Sequence, residues 1–465
     1  MSLLDQLLNH PHAPKWNRCM VDDISKEQIS FVENYAEKLN QSRIPFGKKI
    51  HLDWWNWIKE KRKEVLLFKK NVPAVSYIDM DWESIPTTSR EDIAQNLNSI
   101  VPIHANLKEL FYFNTSGTTG HIIRVPHDVA AVSCYVPLIE FVLNRFGIRL
   151  DLDSNHIACF LVGYQEHTVT YAIDAKVWKG ACFSKLNLKP KEWPSKESAQ
   201  KYIEYFNPQL LTGDPISFAE MLKQDIHCSP KAMITTAVAM PEGLKNHLED
   251  YYHCPVIDWY SLTETGPLGY YCPHGKGYHI LPHDIFVEVL DSQGRRVPEG
   301  ERGEITVTGG RNPFLPLLRY RTGDWGRINY HPCSCGDSMP LLETLEGRKP
   351  VLFRGENNSI INPVDISRIL REFPIVQYEF KQLKDKTCCV TIRPISAQHP
   401  IDENRMKEKL REIFKGIPIQ IELNFDLGEH KVSDKVIPYH SELLLDICSF
   451  EISSTIQRFH FGAWG

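Results

Sequence analysis

Hydroxyl side chains and two glycines are concentrated in one short segment that directly follows the apolar stretch Leu110–Phe113. Its residues are Thr115, Ser116, Gly117, Thr118, Thr119 and Gly120. Glycine lets backbone N–H groups converge on an anion, and hydroxyls add donors that carry no charge. The segment therefore predicts a loop that grips phosphate. It differs from the usual nucleotide P-loop, because His121 follows it in place of the lysine of a Gly-Lys-Ser/Thr sequence.

Two further motifs follow this loop along the chain. Residues 258–264 read Asp-Trp-Tyr-Ser-Leu-Thr-Glu, and residues 320–324 read Tyr-Arg-Thr-Gly-Asp. In this order and at this spacing, the three segments resemble the adenylate-forming superfamily of acyl-CoA synthetases, peptide-synthetase adenylation domains and luciferases. The resemblance covers roughly residues 85 to 440, and its three motifs are independent of one another.

The bulk composition is that of a soluble globular protein, with 24% charged and 42% hydrophobic residues. A net charge of −5 argues against a dedicated nucleic-acid surface. The first ten residues are too short and too acidic for a signal peptide, and no apolar run reaches the roughly 18 residues of a membrane span. We therefore expect a cytoplasmic protein without a membrane partner. The 12 cysteines should then be reduced, so that a cysteine cluster suggests metal before disulfide.

The length of 465 residues predicts more than one domain. The resemblance implies an α/β fold with two parts. We expect a large N-terminal domain over residues 1–347, with α/β sheets and a β-rich subdomain, and a small mobile α+β domain over residues 348–465. Residues 1–84 form the helical start of the large domain in this prediction.

Short apolar runs predict the strands that position the motifs. His156–Gly163, Ala232–Val238 and Cys254–Trp259 have the composition of buried strands, and the first two read as parallel strands. The Tyr-Ser-Leu-Thr-Glu segment comes at the end of the third run. Ligands of open α/β sheets bind at the carboxyl ends of strands, so this placement fits a binding site. In the small domain we predict the strands Cys388–Arg393 and Ile417–Leu423, with the helix Glu403–Phe414 between them.

The resemblance implies a reaction in two halves. A carboxylate attacks the α-phosphorus of ATP and gives an acyl-adenylate and pyrophosphate; a thiol then displaces AMP. The first half requires donors, a metal ion and a cation to neutralise phosphate charge. The loop at 115–120 would hold the β- and γ-phosphates, Glu264 would bind Mg²⁺, and Thr263 would donate to the α-phosphate.

The resemblance also assigns the nucleoside contacts. Tyr260 would stack on adenine, because an aromatic face suits a flat base. Asp324 would accept hydrogen bonds from both ribose hydroxyls. Arg348 would approach ribose or phosphate. The remaining residues assigned to the nucleotide site are Ala237, Val238, Ala239, Asp258, Trp259 and Ser261.

The acyl site and the catalytic lysine are assigned by position. Tyr164 and His167, with Gln165 and Glu166 between them, should line the acyl pocket together with Gly266, Pro267 and 237–239. Ser433-Asp434-Lys435 resembles the Ser/Gly-Gly-Lys element of the family. Lys435 is therefore the predicted lysine that reaches the substrate carboxylate and the α-phosphate, and Lys431 is the alternative.

A cysteine–histidine set has the ligand types of a structural zinc site. Cys333 and Cys335 flank one residue and precede a glycine, and Cys272 with one histidine completes four tetrahedral ligands. That histidine is His279, with His274 as the alternative. The phenylacetate–CoA ligase branch carries a similar pattern, so the chain resembles that branch. A closed Cys₃His site leaves no open position for water, and we assign it no catalysis.

The segment that should form the interdomain hinge departs from the branch. It reads Gly347-Arg348-Lys349-Pro350, where the branch has Gly-Arg-x-Asp-Asp. Proline fixes φ and removes a donor. The pivot is therefore expected to move to Lys349 or to Arg354–Gly355.

These observations give one main hypothesis and two alternatives. The main hypothesis is an ATP-dependent ligase that activates a carboxylic acid, aromatic by branch membership, and transfers it to CoA or to the phosphopantetheine of a carrier protein. The first alternative transfers the acyl group to an amine or stops at the acyl-adenylate. The second is a non-catalytic nucleotide-binding scaffold. The sequence leaves the oligomeric state, including a homodimer, open.

Overall fold

The computed structural model describes most of the chain and divides it into two compact units. The described residues are 1–18, 24–41, 52–73, 81–114, 123–164, 168–236, 240–275, 277–282, 284–346, 353–356, 360–361, 366, 369–370, 372–396, 400–427 and 439–443. Unit 1 contains Met1–Lys349, and unit 2 contains Pro350–Leu427 with the described residues 439–443. The predicted boundary at 347/348 lies outside the described residues and stays a prediction.

Unit 1 begins with helices and continues with alternating helices and strands. Its helices are α1 Leu3–Asn9, α2 Lys26–Asn40, α3 Leu52–Glu64, α4 Leu66–Asn71, α5 Arg90–Gln95, α6 Leu97–Ile100, α7 Val129–Ser133, α8 Tyr135–Arg145, α9 Ser198–Phe206, α10 Pro215–Lys223 and α11 Glu242–Tyr252. Its strands are β1 Phe111–Asn114, β2 Arg124–His127, β3 Ile157–Gly163, β4 Tyr171–Ala175, β5 Ala181–Asn187, β6 Leu210–Gly213, β7 Ala232–Thr235, β8 Val256–Leu262, β9 Gly266–Tyr271, β10 Tyr278–Ile280, β11 Ile285–Leu290, β12 Gly303–Gly309, β13 Leu317–Asn329 and β14 Leu341–Glu346.

A 12-stranded sheet with the order β11-β12-β13-β14-β10-β9-β8-β7-β6-β3-β5-β4 organises unit 1. Strands β8, β7, β6, β3 and β5 run parallel to one another, and β4 closes that edge antiparallel to β5. From β8 to β11 every neighbouring pair is antiparallel. The sheet therefore changes character at the β8–β9 pair, which joins the α/β half to the β-rich half.

Each half of the sheet has its own apolar core. The parallel half packs against α2 and α8 through side chains such as Leu138, Ile234 and Trp259. The antiparallel half contains Tyr260, Ile305 and Tyr320. A separate antiparallel pair, β1 with β2, ends where Asn114 pairs with Arg124, directly before and after the predicted phosphate loop.

The buried Arg319 joins the early part of the chain to β13. Its side chain is 1% exposed and lies 3.4 Å from Glu288. Its guanidinium also donates to the backbone oxygens of Trp82, Glu83, Ile85 and Gly294. A buried charge is stable only when it is paired and hydrogen-bonded, and these partners provide that environment.

Unit 2 is a small α+β unit. It contains β15 Phe353–Arg354, β16 Ile360–Ile361, β17 Ile375–Gln382, β18 Cys388–Pro394, α12 Glu403–Phe414, β19 Ile419–Leu423 and β20 Tyr439–Ser441. Four of its strands form a sheet with the order β19-β18-β17-β20. Its core places Met406, Leu410 and Phe414 of α12 among the strand side chains, because these residues recur at helical spacing on one face.

The predicted α/β fold with a separate small C-terminal unit is confirmed. Strands β8 and β19 begin later than predicted, at Val256 and Ile419. Pro255 and Pro418 precede them, and a proline cannot donate to a strand ladder. Among the described residues, no helix combines the length and the apolar character needed to cross a bilayer.

Candidate active site

The candidate active site lies in unit 1 where β8 ends and β9 begins. Thr263 and Glu264 form the turn between the two strands, and Gly266 opens β9 with φ +67°. A Cβ at position 266 would also lie 3.1 Å from the Tyr135 hydroxyl. Glycine is therefore required there, both for the backbone conformation and for the close approach of α8.

Tyr260 and Asp324 meet in the buried interior beside this turn. The Tyr260 hydroxyl donates to Oδ2 of Asp324 at 2.9 Å, and the two residues are 8% and 7% exposed. Burial, reinforced by the Asp324 carboxylate, raises the pKa of Tyr260 well above its usual value. The hydroxyl therefore remains a donor. The backbone N–H of Asp324 donates to Oγ1 of Thr322 at 3.1 Å, which fixes the Arg-Thr-Gly-Asp turn.

Asp258 and Trp259 point to opposite faces of β8, as alternation along a strand requires. The Tyr278 hydroxyl donates to Oδ2 of Asp258 at 2.6 Å, and the Met240 backbone N–H donates to the same oxygen at 3.3 Å. The Trp259 side chain instead packs in the core of the parallel half. The side chains of Trp259 and Tyr260 thus belong to the cores of different halves of the sheet. Ser261 lies 3.4 Å from the Thr236 hydroxyl, which follows β7.

Glu264 is a buried carboxylate with two donors on one oxygen. It is 3% exposed. Nη1 of Arg90 lies 3.1 Å from Oε1, and the Tyr320 hydroxyl donates to the same oxygen at 2.7 Å. Thr263, its neighbour, is half-buried. Arg90 lies outside the motifs that the sequence indicates; the local signal for its position is the Ser89/Asp92 capping box, which begins α5.

Residues assigned to the acyl pocket are described only in part. Tyr164 follows β3, and Nζ of the buried Lys189 lies 4.1 Å from the centre of its ring. Gly266 and Pro267 are buried at the start of β9. Strands β6, β7 and β8 separate β3 from β9 in the sheet. A single pocket lined by both groups stays a prediction.

Several predicted site residues lie outside the described part of the chain. They are Thr115, Ser116, Gly117, Thr118, Thr119, Gly120, Gln165, Glu166, His167, Ala237, Val238, Ala239, Arg348, Lys431 and Lys435. The described flanks of the phosphate loop are the ends of β1 and β2. The roles of all these residues stay predictions.

The four predicted metal ligands come together beside β10. The ligand atoms of Cys272, His279, Cys333 and Cys335 all lie within 4.8 Å of one another. Sγ of Cys272 is 3.6 Å from Sγ of Cys333, and Nε2 of His279 is 3.1 Å from Sγ of Cys335. Burial raises the pKa of Cys272 to about 12, so thiolate at this position needs a compensating cation.

Hydrogen bonds around the cluster select its histidine. Nδ1 of His279 lies 3.1 Å from the Met339 carbonyl, a partner that makes Nδ1 the protonated nitrogen and turns the Nε2 lone pair to the sulfurs. His274 instead places Nδ1 3.2 Å from the Ser334 hydroxyl. Its backbone N–H donates to Sγ of Cys272 at 3.3 Å, and the Asp337 N–H donates to Sγ of Cys335 at 3.4 Å. The geometry therefore favours His279 over His274 as the fourth ligand.

The fold and these motifs define an adenylate-forming type of enzyme, and comparison with known proteins identifies the family. Residues 59–312, more than half of the chain, match the model described as AMP-binding enzyme. The chain belongs to this family.

Individual relatives agree with the predicted branch. The phenylacetate-coenzyme A ligase of Thermus thermophilus is 24% identical over 249 residues, which cover 50% of this chain and 51% of the relative. That of Aromatoleum evansii is 23% identical over 366 residues, covering 72% and 78%. Protein CapK of Staphylococcus aureus is 19% identical over 374 residues, covering 77% and 79%. The predicted resemblance to the phenylacetate–CoA ligase branch is confirmed.

A solved structure supports the fold. The crystal structure of 2-hydroxyisobutyryl-CoA ligase in the postadenylation state has a TM-score of 0.58 and 15% identity, covering 93% of this chain and 91% of that one.

Proposed function

We propose that the protein activates a carboxylic acid with ATP as an acyl-adenylate and transfers the acyl group to a thiol. The observation that carries this proposal is the grouping of Tyr260, Asp324 and Glu264 at the β8–β9 junction. It unites the two motifs to which the resemblance assigns the nucleoside and its metal ion. The relatives named phenylacetate-coenzyme A ligase support an acid–thiol ligase.

The nucleoside is proposed to lie against Tyr260 and Asp324. The hydrogen bond between them fixes the carboxylate of Asp324 before a ribose arrives, so little ordering is needed on binding. Asp258 is held in the same way by Tyr278. Arg348 and 115–120 complete the nucleotide site in this proposal, with the phosphates held by the loop between β1 and β2.

Glu264 suits the proposed role of Mg²⁺ ligand, because it is a carboxylate at the β8–β9 turn. Arg90 and Tyr320 both fix its carboxylate through Oε1, and Mg²⁺ prefers carboxylate oxygens as ligands. The ion would neutralise charge on the phosphates when bound. Thr263 beside it is proposed to donate to the α-phosphate, and Lys435 to draw the substrate carboxylate toward it.

The Cys₃His cluster is proposed to hold a structural Zn²⁺. Three sulfurs and one imidazole nitrogen are the ligands that tetrahedral zinc prefers. The ion would fasten β10 to 333–335 and would take no part in the reaction.

The acid is proposed to be aromatic, as in the named phenylacetate ligases, with CoA or a carrier-protein phosphopantetheine as acceptor. Tyr164, His167, Gly266 and Pro267 remain the proposed acyl-pocket residues. The ten cysteines in the described part of the chain form no disulfide with one another, which agrees with the proposed cytoplasmic location.

The test is acid-dependent release of pyrophosphate with ATP and Mg²⁺ over aryl, arylacetic and aliphatic acids, followed by thioester formation with CoA and with a carrier protein. Wild type is compared with Lys435→Ala and Lys431→Ala. Release that is lost in Lys435→Ala and retained in Lys431→Ala supports the proposal and the assigned lysine. ATP binding with no acid-dependent release supports the scaffold alternative.

A second function is favoured by one sequence feature, the Pro350 that departs from the hinge of the branch. If the small domain cannot turn for the thiol step, the acyl-adenylate would pass to an amine or remain bound. Pyrophosphate release without consumption of thiol would support this alternative.

A further inference from the structure

Two side chains, Arg90 and Tyr320, donate to the carboxylate of Glu264. The segments that carry them are hydrogen-bonded to each other through Thr88. Thr88 pairs with β13 beside Tyr320: its N–H donates to the Arg319 carbonyl at 3.0 Å, and the Arg321 N–H donates to the Thr88 carbonyl at 2.8 Å. The Thr88 hydroxyl donates to the Leu318 carbonyl at 2.8 Å. These hydrogen bonds join the segment before α5 to β13.

Arg90 and Tyr320 extend from the two sides of that connection to the same atom. Arg90 is the first residue of α5, and Ser89 caps the helix. Nη1 of Arg90 and the Tyr320 hydroxyl both contact Oε1 of Glu264, at 3.1 and 2.7 Å. The side chains of Arg90 and Glu264 are 16% and 2% exposed, so water screens this ion pair weakly.

We propose that Arg90 is a positioning residue for the metal ligand Glu264. This inference rests on the proposed function, in which Glu264 binds the metal ion of the nucleotide. Arg90 compensates the charge of the buried carboxylate and, with Tyr320, fixes Oε1. The rotation of the carboxylate is thereby restrained, and Glu264 would be held ready to bind a metal ion. Arg90 itself contacts neither acid nor nucleotide in this role.

Removing Arg90 should affect the binding of metal–nucleotide and not the binding of AMP without metal. Loss of Arg90 leaves a buried carboxylate with the Tyr320 hydroxyl as its remaining described donor, which costs free energy and frees the carboxylate to rotate. Groups that orient a metal ligand typically change metal affinity 10- to 100-fold when removed. Binding of metal–nucleotide should therefore weaken, whereas binding of AMP without metal should not.

The experiment measures binding of Mn²⁺·ATP and of metal-free AMP to the full chain by calorimetry. The variants are Arg90→Met, Arg90→Lys and Glu264→Gln, each alone, and the double variant Arg90→Met with Glu264→Gln. Arg149→Met is the matched control, because Arg149 is exposed on the parallel half of unit 1. AMP binding also reports whether each variant is folded.

The expected result is a loss of roughly 10-fold or more in Mn²⁺·ATP affinity for Arg90→Met. The AMP affinity should stay within about twofold, and Arg90→Lys should recover part of the loss because it restores the charge. In the Glu264→Gln background the Arg90→Met change should have little further effect, as expected of residues that act through one another.

Equal Mn²⁺·ATP affinity in wild type and Arg90→Met overturns the positioning role, whatever the acid turnover. An additive loss in the double variant also overturns it, because Arg90 would then act independently of Glu264. Acid-dependent turnover by wild type supports the proposed function separately from either outcome. Failure of wild type to bind Mn²⁺·ATP overturns the proposed function and this role together.

Discussion

Tyr278 and His279 are neighbours on β10, yet their side chains contact different sites on opposite faces of the sheet. The Tyr278 hydroxyl donates to Asp258 at 2.6 Å, whereas Nε2 of His279 lies 3.1 Å from Sγ of Cys335. The three-residue strand β10 pairs with both β9 and β14. Two consecutive residues of one strand therefore contact the two sites: Tyr278 contacts the buried Asp258 carboxylate of the nucleotide motif, and His279 belongs to the cysteine–histidine cluster.

Tyr278→Phe should weaken AMP binding by about fivefold while the metal content stays unchanged. The substitution removes one donor from the buried Asp258 carboxylate, a loss worth about 1 kcal/mol or more. Calorimetry gives the AMP affinity, and elemental analysis gives the metal content. Tyr112→Phe is the control, because the hydroxyl of the exposed Tyr112 donates to the Leu107 backbone carbonyl and to no buried carboxylate. Loss of metal in Tyr278→Phe would contradict the independence of the two faces.

Purified protein should contain zinc at one ion per chain, and Cys333→Ser should lack it. Loss of a structural metal removes its binding free energy from the folded state. We expect the unfolding temperature to fall by roughly 5 °C or more. Elemental analysis and thermal unfolding provide the two readouts. Cys254→Ser is the matched control, since Cys254 is 7% exposed and Cys333 is 8% exposed. Equal zinc content in both variants would contradict the proposed site.

Tyr260→Phe should lower the free energy of unfolding by about 1–3 kcal/mol, because Asp324 would lose a buried donor. Adenine stacking needs only the ring, so nucleotide binding should change less than in Asp324→Ala. Denaturant unfolding and AMP titration measure the two effects. A Tyr260→Phe variant with unchanged stability would show that the hydrogen bond contributes nothing to the fold.

His127 should make unit 1 less stable as the pH falls from about 6.5 toward 4. Burial lowers the pKa of His127 to about 4. In that pH window the unfolded chain binds a proton that the folded chain excludes, so unfolding becomes favoured. The loss amounts to about 3 kcal/mol at pH 4.

Unfolding temperatures of wild type and His127→Gln from pH 4 to 7 measure this effect. The variant should lose less stability on acidification than wild type. His331→Gln is the control for the substitution itself, because the His331 side chain is 83% exposed. Parallel pH profiles for wild type and His127→Gln would refute the assignment.

The motif residues of the site could be predicted from sequence, because each motif is a short continuous segment of the chain. Tyr260 and Glu264 come from one motif, Asp324 from another, and cysteine and histidine types indicated the cluster. Helix α12 has the predicted bounds, since its apolar residues recur at helical spacing.

The long-range partners could not be predicted in this way. Arg90 is 174 residues from Glu264 in the chain, and the pairing of Thr88 with β13 brings the two segments together. The choice of His279 over His274 depends on carbonyl and hydroxyl partners that spacing does not encode. Trp259 is predicted to belong to the nucleotide site because it lies in the motif. Its side chain instead packs in the core of the parallel half, because neighbouring residues of a strand point to opposite faces.

The bonds of Arg319 have a consequence for shortened versions of the chain. A fragment that begins after Ile85 would delete three of the carbonyl partners of this guanidinium and leave it with the Glu288 carboxylate and the Gly294 carbonyl. Such a fragment should aggregate or degrade in the producing cell even though it retains all three motifs. Residues 82–85 should therefore stabilise the folded state of unit 1 although they carry none of the motifs.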